Sequence, residues 1–134
     1  MLFRSHRRIP LVTHQIEFSA LQMKALADGT LEQASDLGLR PMIWSPLGGG
    51  RLFTSEDEQV RRVRAALQAV GHAHGVSLTT AAYAWIMRHP SRPVPITGSS
   101  RVDVLREAVQ ALNVRLSTEQ WWNVWEASMG HPVP

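Results

Sequence analysis

The stretch at residues 41–51 reads PMIWSPLGGGR and predicts a fold built on a parallel β-sheet. Its first part, 41–45, is short and almost entirely apolar, which is typical of a strand buried on both faces. A glycine-rich loop follows at 46–51, and a helix signal comes directly after the loop. A buried strand, a tight loop and a helix in succession form the repeating unit of parallel α/β folds.

Two further segments, one on each side of this stretch, have the composition of short strands. Residues 11–18 are rich in β-forming side chains and follow Pro10. Residues 93–97 form a third apolar run, although its two prolines suit a central strand poorly. The segment 98–100, Gly-Ser-Ser, follows that run. Because strands alternate with helical segments, we expect an α/β fold with a parallel sheet and crossover helices.

Helix signals occupy the segments that separate and follow the strands. Residues 19–29 have no such signal and are predicted to be irregular. The 78–88 segment is apolar nearly all round, so we expect a buried helix there. Capping residues predict four helix starts: Thr30 with Gln33, Ser55 with Glu58, Ser77, and Ser117 with Gln120. Glycines predict two helix ends: Gly38, and Gly75 after a long helix through about His74. A further helix carries Val102, Leu105, Val109 and Leu112 on one face.

The length of 134 residues corresponds to one domain or to part of a larger one. A complete (β/α)8 barrel is excluded, because such barrels take about 250 residues. The sequence contains no cysteine, which excludes disulfides, thiolate metal sites and cysteine nucleophiles. We find no internal repeat and no low-complexity linker, so we expect residues 1–134 to form one continuous piece of a domain. Residues 1–9 are expected to be the end of a preceding helix or a frayed end.

Charge and histidine placement do not point to nucleic acid or to metal. The 14 basic against 11 acidic residues give a net charge of +3, and most of the arginines are scattered along the chain. A nucleic-acid-binding protein would concentrate them on one face, so solvated surfaces are the better interpretation. The six histidines do not converge, and no Gly-x-Ser-x-Gly nucleophile motif occurs. No stretch is long enough for a membrane span and the start lacks a secretory signal, so we expect a cytoplasmic protein.

The two glycine-containing loops and Trp44 are the candidate binding features. Each loop follows a strand and precedes a helix, so its backbone N–H groups could cradle an anion, or the glycines could simply allow tight turns. Neither loop is a Walker A motif or a Gly-x-Gly-x-x-Gly fingerprint. Trp44 stands at the end of a strand and could stack a flat ring or pack in the core. The tryptophans at 121, 122 and 125 are interpreted as packing residues.

Several of these motifs, taken in order, resemble signatures of the aldo-keto reductase family. The segments are 14–17 (HQIE), 44–52 (WSPLGGGRL) and 95–100 (PITGSS), with the helix 78–90 between the last two. The ending at 130–134 is similar to that of a bacterial branch of the family. Each motif alone is modest, but their order and spacing together are specific, and the resemblance runs from about residue 10 to the end.

The resemblance implies part of a (β/α)8 barrel, strands six to eight with their helices, in an enzyme that transfers hydride from NADPH to an aldehyde or ketone. Gln15 then matches the residue that hydrogen-bonds the nicotinamide carboxamide, and Trp44 matches the aromatic that stacks on the nicotinamide ring. The remaining matched positions border the phosphates: Ser45, Leu47 and Gly48 along the pyrophosphate, and Gly98, Ser99 and Ser100 near the adenosine 2′-phosphate.

Two departures from the family pattern concern the cofactor. His14 stands where the family usually has Asn, which alters the carboxamide-binding pair. Val104 stands where an Arg usually pairs with the 2′-phosphate, so a bidentate guanidinium contact is lost. Arg101 or Arg106 could substitute for it. NADPH is therefore the expected cofactor, with NADH as the alternative.

The third departure concerns catalysis. The family's catalytic Asp, Tyr, Lys and His come from strands two to four, and no residue of this chain matches them. Without the Tyr acid, hydride transfer to a carbonyl lacks its proton donor. We therefore expect the cofactor-binding portion of a reductase that is inactive alone. The alternatives are a non-catalytic half-barrel that binds a dinucleotide or self-associates through its open sheet edge, and a fragment that folds only with its missing half.

Overall fold

A computed structural model describes residues 8–134 and contains one three-stranded sheet. The strands β1 (Gln15–Glu17), β2 (Met42–Trp44) and β3 (Val94–Pro95) are all parallel, and β2 lies in the centre. The expected parallel α/β arrangement is therefore confirmed. The prediction for residues 1–9 lies mostly outside the described residues, because residues 1–7 are not described.

The strands are shorter than the apolar runs that predicted them. Of the run 11–18, only 15–17 pairs in the sheet, and of 93–97 only two residues do. Single backbone hydrogen bonds extend slightly beyond the paired residues, such as the 2.9 Å hydrogen bond from the Met42 N–H to the His14 carbonyl. A β-strand exists only where a neighbour supplies partners, and β1 and β3 each have a neighbour on one side alone.

Within the elements that the structure describes in full, seven α-helices accompany the sheet, and the three longest agree with the sequence. In chain order they are α1 (Lys24–Ala27), α2 (Thr30–Asp36), α3 (Arg51–Thr54), α4 (Glu58–His74), α5 (Leu78–Met87), α6 (Val102–Gln110) and α7 (Thr118–Met129). Short 3-10 turns precede α3 and follow α6, at Gly48–Gly50 and Ala111–Asn113. Gly75 ends α4 with φ of +65°, as predicted. Ser77 caps α5, and Ser117 forms a complete capping box with Gln120 at the start of α7.

The other two predicted capping boxes are wrong. Thr30 is the first residue of α2 rather than its cap, and its N–H and hydroxyl both donate to the Asp28 carboxylate. Ser55 lies two residues before the N-cap of α4, where its hydroxyl donates to Asp57 at 2.7 Å. In both places a carboxylate two residues away takes the hydrogen bonds that the capping box would need. The helical turn α1, within the segment predicted to be irregular, and α3 were not anticipated.

The core lies on one face of the sheet, between the strands and the helices α4, α5 and α7. Ile16 and Ile43, opposite each other in the ladder, point into it, and the helix α5 is buried nearly all round as predicted. Trp85 is fully buried and stacks on Trp121 with 5.2 Å between ring centroids. Each of these two indoles donates its N–H to the other residue's backbone carbonyl at 3.0 Å. These reciprocal bonds join α5 to α7 and satisfy two polar groups inside the core.

The opposite face of the sheet is open. Because side chains alternate along a strand, the residues on either side of Ile16 and Ile43 point there. Gln15, Trp44 and Val94 are exposed, and Glu17 and Met42 are partly exposed. The sheet therefore presents one buried face to its helices and one accessible face with polar and aromatic side chains.

The predicted apolar face of α6 exists but is not covered in this chain. Val109 and Leu112 are 62% and 69% exposed, and Val102 and Leu105 are exposed as well. Leu112 lies in the 3-10 turn that follows α6, whereas the other three lie in the helix itself. Scattered exposed apolar residues are normal, but these four together form a patch that a packing partner could cover. Within residues 8–134, no helix combines the length and the apolarity that crossing a bilayer requires.

Candidate functional site

The candidate site lies at the carboxyl ends of the parallel strands, where Trp44 ends β2. Trp44 is 42% exposed, so of the expected alternatives a place in the core is excluded, whereas a rim residue or a residue that stacks a ring agrees with this exposure. Its side chain borders two cavities, of about 580 Å³ and about 320 Å³. An exposed indole between two adjoining cavities can offer its flat face to a bound ring. Ligands of parallel α/β sheets generally bind at this end of the strands.

The larger cavity joins the two glycine-containing loops. Ser45 and Leu47 from the first loop and Gly98 and Ser99 from the second all line it, together with Trp44. The two loops follow neighbouring strands, which brings them to the same edge of the sheet. Other lining residues come from the loops, from α5 and from α6: Pro46, Gly49, Gly50, Tyr83, Ile96 and Val104.

The loop after β2 is held in an unusual backbone conformation. Ser45 has φ of +50°, which costs an L-residue about 1–2 kcal/mol, and the three glycines that follow also have positive φ. A 2.9 Å hydrogen bond from the Gly48 N–H to the Ser45 carbonyl closes the first turn. Gly48 also passes close to the core, since a Cβ there would lie 2.8 Å from the Leu21 Cδ1 atom. Strained residues of this kind cluster at functional sites.

The smaller cavity brings Gln15 to Trp44. Gln15 and Glu17 line it from β1, and Trp44 lines it from the neighbouring strand. Glu17 and Trp44 are direct partners in the ladder. His14 also lines this cavity, and its Nδ1 atom is buried without a hydrogen-bond partner among the described residues. An amide, a carboxylate and an unpaired imidazole nitrogen thus stand beside an aromatic face.

The start of α6 forms the second loop–helix junction. The Ser99 hydroxyl accepts a 3.1 Å hydrogen bond from the Arg101 N–H. The Arg101 guanidinium donates to the Asp103 carboxylate and forms an ion pair with it. Through this hydrogen bond Arg101 lowers the pKa of Asp103, and the carboxylate in turn raises the pKa of Arg101. Arg101 is therefore engaged within the protein, although both side chains are exposed.

The structure brings together six of the nine predicted binding residues. Gln15 and Trp44 share the smaller cavity, and Trp44 shares the larger one with Ser45, Leu47, Gly98 and Ser99. The other three, Gly48, Ser100 and Arg101, adjoin the lining residues in sequence but line neither cavity.

Tyr83 is a lining residue that the sequence analysis did not identify. It is the only tyrosine of the chain, is 2% exposed, and reaches the larger cavity from α5. Burial, followed by the negative charge of Glu107, raises the pKa of its hydroxyl. Tyr83 therefore stays protonated at neutral pH. Its segment shows only a continuous apolar pattern, so nothing local marked it as part of a site.

Metal chemistry finds no support in the described part of the chain. No group of three or more His, Asp or Glu side chains within residues 8–134 could hold an ion. The arrangement instead suits a flat, phosphate-bearing ligand, with Trp44 for a ring and two loop–helix junctions for anionic groups.

Comparisons with known proteins identify the family of the chain. A sequence model described as the aldo/keto reductase family matches residues 1–128. A 6-dehydroglucose reductase of Novosphingobium aromaticivorans is 45% identical over 124 residues, which cover 92% of this chain and 41% of that protein. The oxidoreductase YdhF of Escherichia coli is 40% identical over 133 residues, which cover 99% of this chain and 44% of that protein.

A solved structure gives the same result for the fold. The crystal structure of the thermostable aldo-keto reductase Tm1743, in complex with the inhibitor epalrestat, matches with a TM-score of 0.76 and 26% sequence identity. The match covers 88% of this chain and 40% of that one, which confirms the expected partial (β/α)8 barrel. The chain thus spans about two fifths of the length of the relatives it matches, and it belongs to the aldo/keto reductase family.

Proposed function

We propose that this chain is the C-terminal, cofactor-binding portion of a nicotinamide-dependent aldo-keto reductase that reduces aldehydes or ketones. The observation that carries the proposal is the exposed ring of Trp44, which stands between two cavities at the carboxyl ends of the strands. Family membership supports a nicotinamide cofactor. The reductases and oxidoreductases among the relatives support carbonyl reduction by the whole enzyme.

The smaller cavity is proposed to hold the nicotinamide end of the cofactor. Trp44 would stack on the ring, and the Gln15 amide would hydrogen-bond the carboxamide, because a primary amide can both donate to and accept from another amide. His14 lines the same cavity, and its buried Nδ1 atom has no hydrogen-bond partner among residues 8–134. We propose that it contributes a further polar contact in place of the usual Asn.

The larger cavity is proposed to hold the diphosphate and the adenosine end. The loop with Ser45, Leu47 and Gly48 would follow the diphosphate, and Gly98, Ser99 and Ser100 would border the adenosine ribose. Hydroxyl groups and backbone N–H groups of such loops are the usual phosphate ligands at helix N-termini, and α6 has nine residues. Gly98 has no atom within 4 Å of where a Cβ would lie, so this stretch of backbone is open to a ligand.

The preference for NADPH over NADH is proposed to depend on Arg101. Val104 lines the cavity where the family usually places an arginine, so the side chain at that position offers no positive charge. Arg101 is two residues from Ser99 and could reach a 2′-phosphate only by sharing its guanidinium with Asp103. We keep NADPH as the proposed cofactor and NADH as the alternative.

The chain alone is proposed not to catalyse the reaction. The cofactor supplies a hydride when bound, and the carbonyl oxygen then needs a proton. Tyr83 is the only tyrosine, and its raised pKa and 2% exposure suit a buried structural hydroxyl rather than a proton donor to a substrate. The family's catalytic Asp, Tyr, Lys and His match no residue here.

Calorimetric titration of the purified chain with NADPH and NADH tests the binding proposal. We expect the Trp44→Ala variant to bind about tenfold or more weakly, since stacking of a base on an aromatic side chain contributes about 1–3 kcal/mol. Trp122→Ala is the matched control, because it removes the same ring from a helix outside both cavities. Equal affinity of the wild type and Trp44→Ala would contradict the proposal.

The same preparations test the claim about catalysis. Oxidation of NADPH by the chain alone, with an aldehyde or a ketone present, should stay at the rate measured without protein. Turnover that exceeds this rate, and that Trp44→Ala abolishes, would show that the chain carries its own proton donor.

Self-association is a second candidate property, and one observation favours it. The apolar face of α6 is exposed, and β1 and β3 both have open edges. Open edges of a sheet are templates for pairing with another chain. A half-barrel that binds a dinucleotide and pairs with a second copy would need no catalytic residue of its own.

A further inference from the structure

A further cavity lies at the other end of the sheet from Trp44. Its volume is about 850 Å³, and four arginines line it: Arg40, Arg88, Arg92 and Arg115. Arg40 and Arg92 come shortly before β2 and β3, at the amino ends of these strands. We refer to these four arginines and the cavity between them as the arginine groove. It shares no lining residue with either cavity beside Trp44.

The arginine groove has no internal counter-charge. No aspartate or glutamate lines it, and none of its four guanidinium groups forms an ion pair within the described residues. Elsewhere in the described chain four arginines do have such partners: Arg51, Arg62, Arg64 and Arg101. Four positive charges around one cavity repel each other, which an anion bound between them would relieve.

Two of the guanidinium groups are held in position by backbone carbonyls. The Arg40 Nε–H donates to the Arg92 carbonyl, and the Arg88 Nε–H donates to the Leu116 carbonyl, each at 3.2 Å. Each bond uses the Nε–H of its guanidinium, so the Nη groups of Arg40 and Arg88 are not used by these two bonds. A guanidinium that is already oriented loses less side-chain entropy when it binds a ligand.

The turn that carries Arg92 is strained. Arg92 has φ of +53°, and its N–H donates to the His89 carbonyl at 2.9 Å. In residues 8–134 Ser45 is the only other non-glycine residue with positive φ, and it lies in the loop proposed to bind the cofactor. Such strain costs about 1–3 kcal/mol and is found at binding sites more often than elsewhere.

The one imidazole of the groove adds little charge at neutral pH. Burial lowers the pKa of His89, and the carboxylate of Glu32 partly opposes this effect. Glu32, His89 and Arg88 of the groove also line a neighbouring cavity, together with Trp121, Trp122 and Trp125. The positive potential of the groove therefore comes from its arginines. Glu32 is the acidic group that acts on His89, and it does so from the neighbouring cavity.

We propose that the arginine groove binds a small, multiply charged phosphate anion of the diphosphate or triphosphate class. Guanidinium forks match pairs of phosphate oxygens and form charge-assisted hydrogen bonds with them. Four fixed positive charges suit an anion with three or four negative charges. The arginines surround one compact cavity, whereas an extended nucleic acid would need a stripe of them. The site is independent of the proposed cofactor site.

Calorimetric titration with tripolyphosphate, without divalent cations, tests this proposal. Arg115→Gln removes an exposed guanidinium, and Arg92→Gly removes another together with the strained φ, so neither variant should unfold the chain. We expect each to bind tripolyphosphate about tenfold more weakly, which corresponds to about 1.4 kcal/mol. Arg61→Gln is the matched control, because Arg61 is an arginine on α4 outside the groove. Circular dichroism verifies the fold of each variant.

Two results would overturn the proposal. One is unchanged affinity in both groove variants, or an equal loss in Arg61→Gln, since either means that only net charge is sensed. The other is competition, in which NADPH displaces tripolyphosphate and the protein binds one or the other but not both. This result would place the anion on the glycine loops. Independent binding of the two ligands, with NADPH affinity unchanged in Arg115→Gln, is the expected result. Binding of tripolyphosphate in the groove would remain supported even if Trp44→Ala showed that NADPH does not bind beside Trp44.

Discussion

At the scale of single residues, Gly48 links the candidate site to the core. Its φ of +63° disfavours any side chain, and a Cβ there would press on the Leu21 side chain at 2.8 Å. Gly49 has the same φ, but a Cβ on it would have no atom within 4 Å. The two glycines thus share this φ but differ in the contact with Leu21, and Gly48 is also less exposed and donates its N–H to the Ser45 carbonyl.

This difference predicts unequal effects of two alanine substitutions. Gly49→Ala should lower the free energy of unfolding by about 1–2 kcal/mol, the cost of a left-handed alanine. Gly48→Ala should lower it further, because Leu21 must also move within the core. Urea unfolding followed by tryptophan fluorescence measures both. Equal losses of unfolding free energy would mean that the Leu21 side chain moves without cost and that its contact with the loop does not contribute to stability.

Whether a capping pattern in the sequence formed a helix cap depended on which group the hydroxyl bonded in the structure. Ser77 and Ser117 cap their helices as predicted. Thr30 and Ser55 show the same kind of pattern, but their hydroxyl groups donate to Asp28 and Asp57 instead. Glu119 stands two residues after Ser117, yet the Ser117 hydroxyl still caps its helix. A capping pattern alone therefore does not show whether a nearby carboxylate takes the hydrogen bond, because that depends on the local backbone.

At the scale of elements, α6 has the strongest separation of apolar and polar faces but leaves its apolar face uncovered. Sequence periodicity predicted this helix and its face, since both depend on local spacing. It could not show what covers the face, because that depends on what packs against it. The same limit applies to β1 and β3, which pair over fewer residues than their apolar runs extend.

The uncovered face of α6 predicts concentration-dependent self-association. Val109→Asp and Leu112→Asp place charge on the most exposed part of this face, where they should leave the monomer fold intact. We expect the wild type to form dimers or larger species at high concentration and the variants to remain monomeric. Light scattering coupled to size exclusion measures this. Asn113→Asp, beside the face, is the control for added charge. A wild type that stays monomeric would exclude this surface as a self-association site.

The candidate site shows a similar division between local and distant signals. Trp44 ends β2, and Ser45 and the glycine loop follow it directly, so sequence order predicted where these residues lie. Their proposed roles came from the family resemblance. Tyr83 and Val104 line the same cavity from α5 and α6. Val104 was found only by matching it to a family position, and Tyr83 carried no signal, since its place depends on how a helix lies across the sheet.

At the scale of the whole molecule, His89 lies where the sheet, α5 and α7 meet. Its ring forms edge-to-face contact with Phe18 after β1 and a tilted contact with Trp121 in α7. Its Nδ1 atom forms a 2.9 Å hydrogen bond with the Ser91 hydroxyl. Burial lowers the pKa of His89 in the folded state, so the neutral form is favoured there.

This shift predicts that acid weakens the fold through His89. Since the folded pKa lies below the unfolded value of about 6.5, the unfolded state binds a proton first. Stability should therefore hold above pH 6.5 and fall as the pH drops from 6.5 toward the folded pKa, by at most about 1.4 kcal/mol per pH unit. Urea unfolding at pH 8 and pH 5.5 should show a smaller loss in His89→Gln than in wild type. His72→Gln, on the surface of α4, should behave as wild type, and equal losses in all three would refute the assignment.

The reciprocal hydrogen bonds of Trp85 and Trp121 also affect when the chain can fold during its synthesis. The buried indole N–H of Trp85 has its acceptor 36 residues later, in the last helix. Until that helix has emerged from the ribosome, the N–H must stay hydrated, and Trp85 cannot close into the core without a polar group left unpaired. Completion of the core therefore waits for the synthesis of α7, and nascent chains that stall before α7 should be held open and available to chaperones.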